Sequence, residues 1–301
     1  MHVPDGFLSS PVCLTTGVLS AVIAGYCSFK AIRSQTISPK IGFLAGMIFT
    51  AQMLNFPILG GTSGHLLGSA LLGILLGPCV ATYMLTCVLV TQMFLFHDGG
   101  LLTLGANIFN IAIVGVWTGW AVYHLCGGNK RPALAAFVAG WGSVIAAAVS
   151  CTSELLLSNN IPAGVIFSAM LDAHVLVGLT EAIVTGGVIW ALRPQFHSSN
   201  STWIPNSQGV AFLTLVLLFF TPFACSRPDG LHYVSQILGL SSTGTTFQIS
   251  FGFLRSVNSL DYTSQFFATF LGASAVAFLV ALFLQSPLHL WNSWVGNRSW
   301  K

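Results

Sequence analysis

The sequence predicts an all-α polytopic membrane protein, and three observations carry that reading. The first is charge: of 301 residues only 17 are charged, 10 Lys and Arg against 7 Asp and Glu. A soluble domain runs near about 25% charged, and at 6% this chain cannot cover a water-facing surface. The second is length: apolar runs recur at roughly the 20 residues that a bilayer requires. The third is the placement of the cations, which is one-sided once those runs are alternated across a membrane. A soluble globule is excluded, and a net charge of +3 gives no footprint for nucleic acid.

In chain order, residues 1–10 (MHVPDGFLSS) lack the basic start of a signal peptide, and Pro4, Asp5 and Gly6 favour a turn. Nine apolar runs follow, at about 11–32, 41–54, 65–77, 79–96, 102–126, 132–157, 163–192, 209–225 and 264–285. The 65–77 run is short and meets Pro78 with no polar loop, as a half-span or re-entrant piece does when it is buried in protein. The stretch 193–208, polar and holding two prolines, reads as a linker. It divides a membrane domain at 1–192 from a two-helix part at 209–301, whose spans flank a long polar external loop at 226–263.

With the N-terminus outside and the spans alternating, Lys30, Arg33, Lys40, Lys130, Arg131, Arg193, Arg298 and Lys301 fall on the cytoplasmic side. Only Arg227 and Arg255 fall outside. Positive-inside bias therefore supports this orientation, with a cytoplasmic C-terminus. The seven cysteines form no CxxC pair and read as small buried apolar residues. On the first span Gly17, Ala21 and Gly25 recur every four residues, a spacing that lets helices pack closely, here within the chain.

Few residues are left to carry chemistry. His2 follows Met1 directly, and a residue as large as His leaves the initiator Met in place. The Met1 α-amine, the His2 amide and the His2 imidazole can bind one metal ion through two fused rings. Nitrogen donors in a plane suit Ni(II) or Cu(II), with Co(II) possible. His65 opens a run after a Gly/Ser/Thr loop on the same outer side and supplies a fourth nitrogen; its bland reading is a backbone-satisfied histidine. His97-Asp98-Gly99-Gly100 makes another outer turn. Asn107 and Asn110, three apart on one helical face, act either as interhelical glue or, with Asp98, as groups that orient a metal-binding histidine or the inserted N-terminal segment. In the seventh span Asp172, His174 and Glu181 form either a structural polar cluster or a second metal or proton site. The sequence has no GxxxxGK[ST], no HExxH and no GxSxG with a plausible triad, so it is read as no enzyme and as lacking its own ATPase site.

Three segments, MHVPDGFLSSPV, GGTSGHLLGSALLGILLGP and DGGLLTLGANIFNIAIVG, resemble the metal-binding membrane subunit of cobalt/nickel energy-coupling factor transporters, the CbiM/NikM family. The resemblance covers about 1–192. The 209–285 part looks like the small accessory subunit of the same systems in its PDGLE-type fused form; Arg227-Pro228-Asp229-Gly230-Leu231 carries the motif, with His232 where the pattern has Glu. What the resemblance implies is a substrate-specific component of about seven transmembrane helices, multi-pass in the plasma (inner) membrane. It implies Met1, His2 and His65 as metal ligands, and Co2+ or Ni2+ as transported substrate with no organic cofactor. It also implies two kinds of partner, a CbiQ/NikQ-like transmembrane coupling subunit and a CbiO/NikO-like cytoplasmic ATPase. The rival expectation is a proton-coupled secondary metal transporter using Asp172, His174 and Glu181.

Overall fold

The computed structural model of the chain describes residues 2–33, 40–58, 63–159, 161–196, 210, 214, 217, 225, 227–239 and 270–274. It is mostly helical. In order come α1 (Ser10–Arg33), α2 (Lys40–Met53), a two-rung hairpin of β1 (Phe56–Pro57) and β2 (Ser63–Gly64), and α3 (Ser69–Leu76). Then come α4 (Pro78–Thr91), α5 (Leu104–Asn107), α6 (Val116–Leu125), α7 (Pro132–Ser158), α8 (Ala163–Phe196) and α9 (Gly230–Ile237). Two π-helical pieces extend this set: Gln92–Phe96 prolongs α4, and Ile108–Gly115 joins α5 to α6.

Five continuous helical stretches among the described residues are long and apolar enough to cross a membrane: Ser10–Arg33, Pro78–Phe96, Leu104–Leu125, Pro132–Ser158 and Ala163–Leu192. The protein is a multi-pass membrane protein. At 1.5 Å per residue the eight residues of α3 reach only about 12 Å, well short of a core about 30 Å thick. Seven of those eight are buried, as a half-span inside protein requires. The helix ends at Gly77, and Pro78 opens α4, where its missing N–H is not needed. The C-terminal runs at 209–225 and 264–285, and the linker beyond Phe196, lie largely outside the described residues.

The helices meet through small residues. α7 and α8 run antiparallel, and Gly140 faces the Ala182 backbone while Trp141 meets Gly178 and Ala133 meets Gly186. The expected Gly17/Ala21/Gly25 stripe is not the packed face of α1. Gly17 does touch Gly105, but Ala21 and Gly25 are exposed, and the buried row is Thr16, Ser20, Ala24, Cys27 and Ala31. Four-residue spacing holds for both rows; only contact with α4 and α5 selects one. The cysteines are also less buried than expected: Cys27 and Cys151 are buried, Cys126 is exposed, and the other four are intermediate.

The π segment Ile108–Gly115 leaves carbonyls without their usual α-helical donors, and inside a bilayer each must be satisfied. Three hydroxyls do so. Ser69 Oγ donates to Ile111 O at 2.8 Å, Thr82 Oγ1 to Ala112 O at 2.8 Å and Ser143 Oγ to Gly115 O at 2.9 Å. The irregular helix that carries Asn107 and Asn110 is thereby pinned to α3, α4 and α7.

Candidate metal site

The N-terminal segment is folded into the helix bundle. The Val3 N–H donates to Asn107 Oδ1 at 2.7 Å, and the Val3 carbonyl accepts from Asn107 Nδ2, Thr103 Oγ1 and Gly100 N. The Asp5 carboxylate accepts from the amides of Leu101, Leu102 and Thr103, the free donors just ahead of α5. A residue nearly a hundred positions away thus fixes the turn that leads into α5. Asn159 donates to Phe7 O at 3.1 Å, tying the segment to the end of α7. Gly99 and Gly100 allow this close approach: a Cβ on Gly99 would meet Asn107 Nδ2 at 2.7 Å, and one on Gly100 would overlap the Asp5 carboxylate.

This docking buries His2 and His65 together. Their rings stack 5.1 Å apart, 8° from parallel. His2 Nδ1 lies 3.1 Å from Asp98 Oδ1, and His2 Nε2 is buried with no hydrogen-bond partner among the described residues. His65 Nδ1 sits 3.1 Å from Leu66 O; a carbonyl only accepts, so Nδ1 carries the proton and Nε2 carries the lone pair of the neutral ring. Burial first, then the positive amino terminus and the His2 ring, push the His65 pKa down to about 3. The ring is therefore a neutral donor at physiological pH. Burial by itself would raise the pKa of Asp98, but the neighbouring His2 ring, by charge and hydrogen bond, together with the amino terminus, outweighs it and holds the carboxyl below its usual range.

The C-terminal part reaches the same place. Ser63 N donates to Pro228 O at 2.9 Å and Ser63 Oγ to Arg227 O at 2.7 Å, so 227–229 runs beside β2, two residues before His65. The Asp229 side chain caps α9 by accepting from His232 N at 2.8 Å. That bond uses the backbone, so His at 232 in place of Glu leaves it intact. Burial would raise the Asp229 pKa; the amino-terminal charge, His65 and the His232 amide together hold it well below the usual carboxylate range. The described start of the 226–263 stretch is packed: Leu231 and Val234 of α9 are buried, and Gly230 lies against His174.

Met1 lies outside the described residues. The other predicted residues separate into those that converge and those that do not. His2, His65, Asp98 and Asn107 come together. Asn110 does not join them; it donates to Glu154 at 2.8 Å. The reason is local: π-helical bonding begins at Ile108 and adds a residue to the turn, which rotates Asn110 off the line through Asn107. Nor do Asp172, His174 and Glu181 form one site. Asp172 is exposed, His174 Nδ1 bonds Met170 O at 2.7 Å, and Glu181 accepts from the amides of Leu67 and Gly68. The helical spacing puts these side chains on one helix without making their partners common. Sequence reasoning missed Asp5, Thr103, Gln52, Gln92 and Glu154. A buried carboxyl or amide in an apolar run was the available signal for the last three. Among the described residues no three His, Cys, Asp or Glu side chains are grouped to hold a metal ion. Any ion here needs backbone or amine donors beside the two rings.

Fold and site together define a multi-pass membrane protein with a histidine pair closed over by its own N-terminal segment. The chain belongs to the CbiM family, described as the cobalt uptake substrate-specific transmembrane region, whose model matches residues 2–198. It is 37% identical over 246 residues to an Archaeoglobus fulgidus protein assigned as a fused nickel transport protein, NikMN, covering 80% of this chain and 79% of that one. It is 37% identical over 130 residues to the cobalt transport protein CbiM of Lachnoclostridium phytofermentans, covering 42% and 52%. A crystal structure of a transition metal transporter superposes with a TM-score of 0.59 at 32% identity, covering 66% of this chain and 95% of that one. The protein is a cobalt/nickel transport component.

Proposed function

We propose that this chain is the metal-binding membrane subunit of an energy-coupling-factor ABC importer, capturing Ni2+ or Co2+ from the outer side. The observation that carries the reading is the buried, stacked His2–His65 pair beneath a docked N-terminus. The ligands are the Met1 α-amine, the His2 amide, the His2 imidazole and His65. In that chelate His65 lies opposite the amide and beside the His2 ring. Metal–nitrogen bonds of about 2 Å put two imidazole centres roughly 4.5 Å apart at adjacent corners of a square. The observed centres are 5.1 Å apart, and the stacked rings must tilt as well as approach for both lone pairs to meet one ion. The fused ring closes through His2 Nδ1, which here faces Asp98. A half-turn about χ2 moves Nδ1 to the other edge and brings Nε2 to the Asp98 side, where its N–H has an acceptor. Nitrogen donors offset the loss of the ion's water, and all-nitrogen square-planar ligation favours nickel over cobalt.

Lys30 and Arg33 end α1, far along the helix from His2, and Lys130 and Arg131 precede α7, whose other end contacts Ser9 and Phe7. This supports an outer N-terminus and inner cations, in a first domain of seven membrane-embedded helical elements; the two spans proposed after 209 rest on the sequence runs at 209–225 and 264–285. Hydrolysis of ATP on a cytoplasmic partner, transmitted by a transmembrane coupling subunit, then reorients the component in the plasma membrane. The A. fulgidus match spans more of the chain than 2–198 alone, which favours reading 209–301 as a fused accessory part.

The test is Ni2+ and Co2+ binding to purified protein with its native N-terminus, beside His65→Ala and a one-residue extension before Met1. Tight binding lost in both variants is expected. Binding that survives both overturns the chelate.

A further inference from the structure

We infer that Glu181 is a positioning residue for the metal site, acting on His65 through a single peptide group. This rests on the nitrogen site proposed above and adds a residue to it.

Glu181 sits on α8, 1% exposed, in the middle of a membrane-length helix. Leu67 N donates to its Oε2 at 2.8 Å and Gly68 N to its Oε1 at 2.8 Å. One amide on each oxygen is the arrangement of a carboxylate, and Gly68, at φ +72°, shapes the backbone so that both amides face it.

The Leu67 N–H belongs to the same peptide group as the Leu66 C=O, and that carbonyl is the acceptor for His65 Nδ1. The order is therefore ring N–H, carbonyl, amide N–H, carboxylate. Ligating histidines generally donate their second nitrogen to a carbonyl or a carboxylate, which fixes the tautomer and raises donor strength. Here both are used in series, and each hydrogen bond polarises the next. The following peptide is held from both ends: its N–H, on Gly68, by Glu181, and its carbonyl, on Leu67, by Gln52 Nε2 at 2.7 Å.

Gln52 is held in turn, since Gln92 Nε2 donates to its Oε1 at 2.9 Å. Gln92 lies on the helix end that leads to Asp98, whose N–H donates to the Gln92 backbone carbonyl at 3.2 Å and whose carboxylate faces His2. Glu181 thus anchors the hydrogen bonds on the His65 side of the pair.

The experiment uses the full chain with its native N-terminus in detergent, with Ni2+ as the probe and its visible absorption as the readout of ligand field. Wild type, His65→Ala and Glu181→Gln are compared. Gln keeps the size but offers one acceptor where two are needed. Glu181→Gln is expected to bind Ni2+ about 10–100-fold more weakly. Its spectrum should move toward that of His65→Ala, and added imidazole should restore the wild-type spectrum in both. Wild-type affinity and spectrum in Glu181→Gln overturn the inference; so does lowered thermal stability with an unchanged spectrum, the mark of a merely structural role. If Glu181→Gln does not fold, Gln52→Leu, which frees the same peptide from its other end, should give the same spectral movement, and an unchanged spectrum there overturns it. If wild type binds no Ni2+, or His65→Ala matches wild type, the nitrogen site itself has failed, a result distinct from these.

Discussion

Asn107 holds the Val3 peptide at both ends, its Oδ1 accepting from the N–H at 2.7 Å and its Nδ2 donating to the carbonyl at 3.1 Å. This one side chain converts an exposed N-terminus into part of the bundle and sets His2 beside His65. Asn107→Ala leaves the Val3 N–H buried without that acceptor, at a cost of about 1–3 kcal/mol. Ni2+ affinity should fall at least about tenfold, and backbone amides of residues 2–7 should exchange with solvent faster by mass spectrometry. Unchanged exchange would mean that Thr103 and Gly100 suffice.

Asp98 Oδ1 lies 3.1 Å from His2 Nδ1, and the proposed site gives it the task of orienting that ring. Asp98→Asn keeps the shape and removes the charge. Metal affinity measured by titration calorimetry should drop about 10–100-fold, as for other groups that orient a metal-binding histidine, with little change in thermal stability.

Asp5 gathers the three amides of the turn that leads into α5. Asp5→Ala leaves those donors without their acceptor and should lower stability by about 1–3 kcal/mol, read as a reduced melting temperature in detergent. Because the same bonds dock the N-terminus, metal binding should weaken in the same variant.

The His65 ring titrates near 3 in the folded chain and near 6.5 when unfolded. Between these values the unfolded state binds the extra proton, so stability falls as pH drops from about 6.5 toward 3, with a slope approaching 1.4 kcal/mol per pH unit. Thermal unfolding followed without added metal from pH 7 to 4 should show this slope, and His65→Asn should flatten it.

Asp172 is exposed and its neighbours on α8 face elsewhere. Asp172→Asn should leave metal binding and cellular uptake within twofold of wild type, roughly 0.4 kcal/mol. A collapse of uptake dependent on a proton gradient would restore the secondary-transporter reading.

How much of this was legible beforehand differs by residue. His2 and His65 were legible because a terminal Met-His and a histidine after a glycine-rich loop are chemically unusual in so apolar a chain. The 65–77 half-span was legible from its length and Pro78. For Asn110 the interhelical reading fits, since it donates to Glu154 of α7, while the i,i+3 spacing that would set it beside Asn107 meets the π turn starting at Ile108. The α1 stripe was misread because two small-residue rows share one spacing. Glu181 stands out in the sequence as a polar residue in an apolar run, but its partners, backbone amides more than a hundred residues away, leave no local trace.

Composition and run length alone determined that this chain lives in a membrane as helices, because 17 charges cannot solvate 301 residues. The sequence also determined which nitrogen donors exist. Only the tertiary structure decided which of them meet. Hydrogen bonds between Val3 and Asn107, Asp5 and 101–103, and Glu181 and Leu67 join positions roughly a hundred residues apart. Local periodicity holds no information about such pairings; they are fixed by the requirement that every polar group buried in the bilayer find a partner.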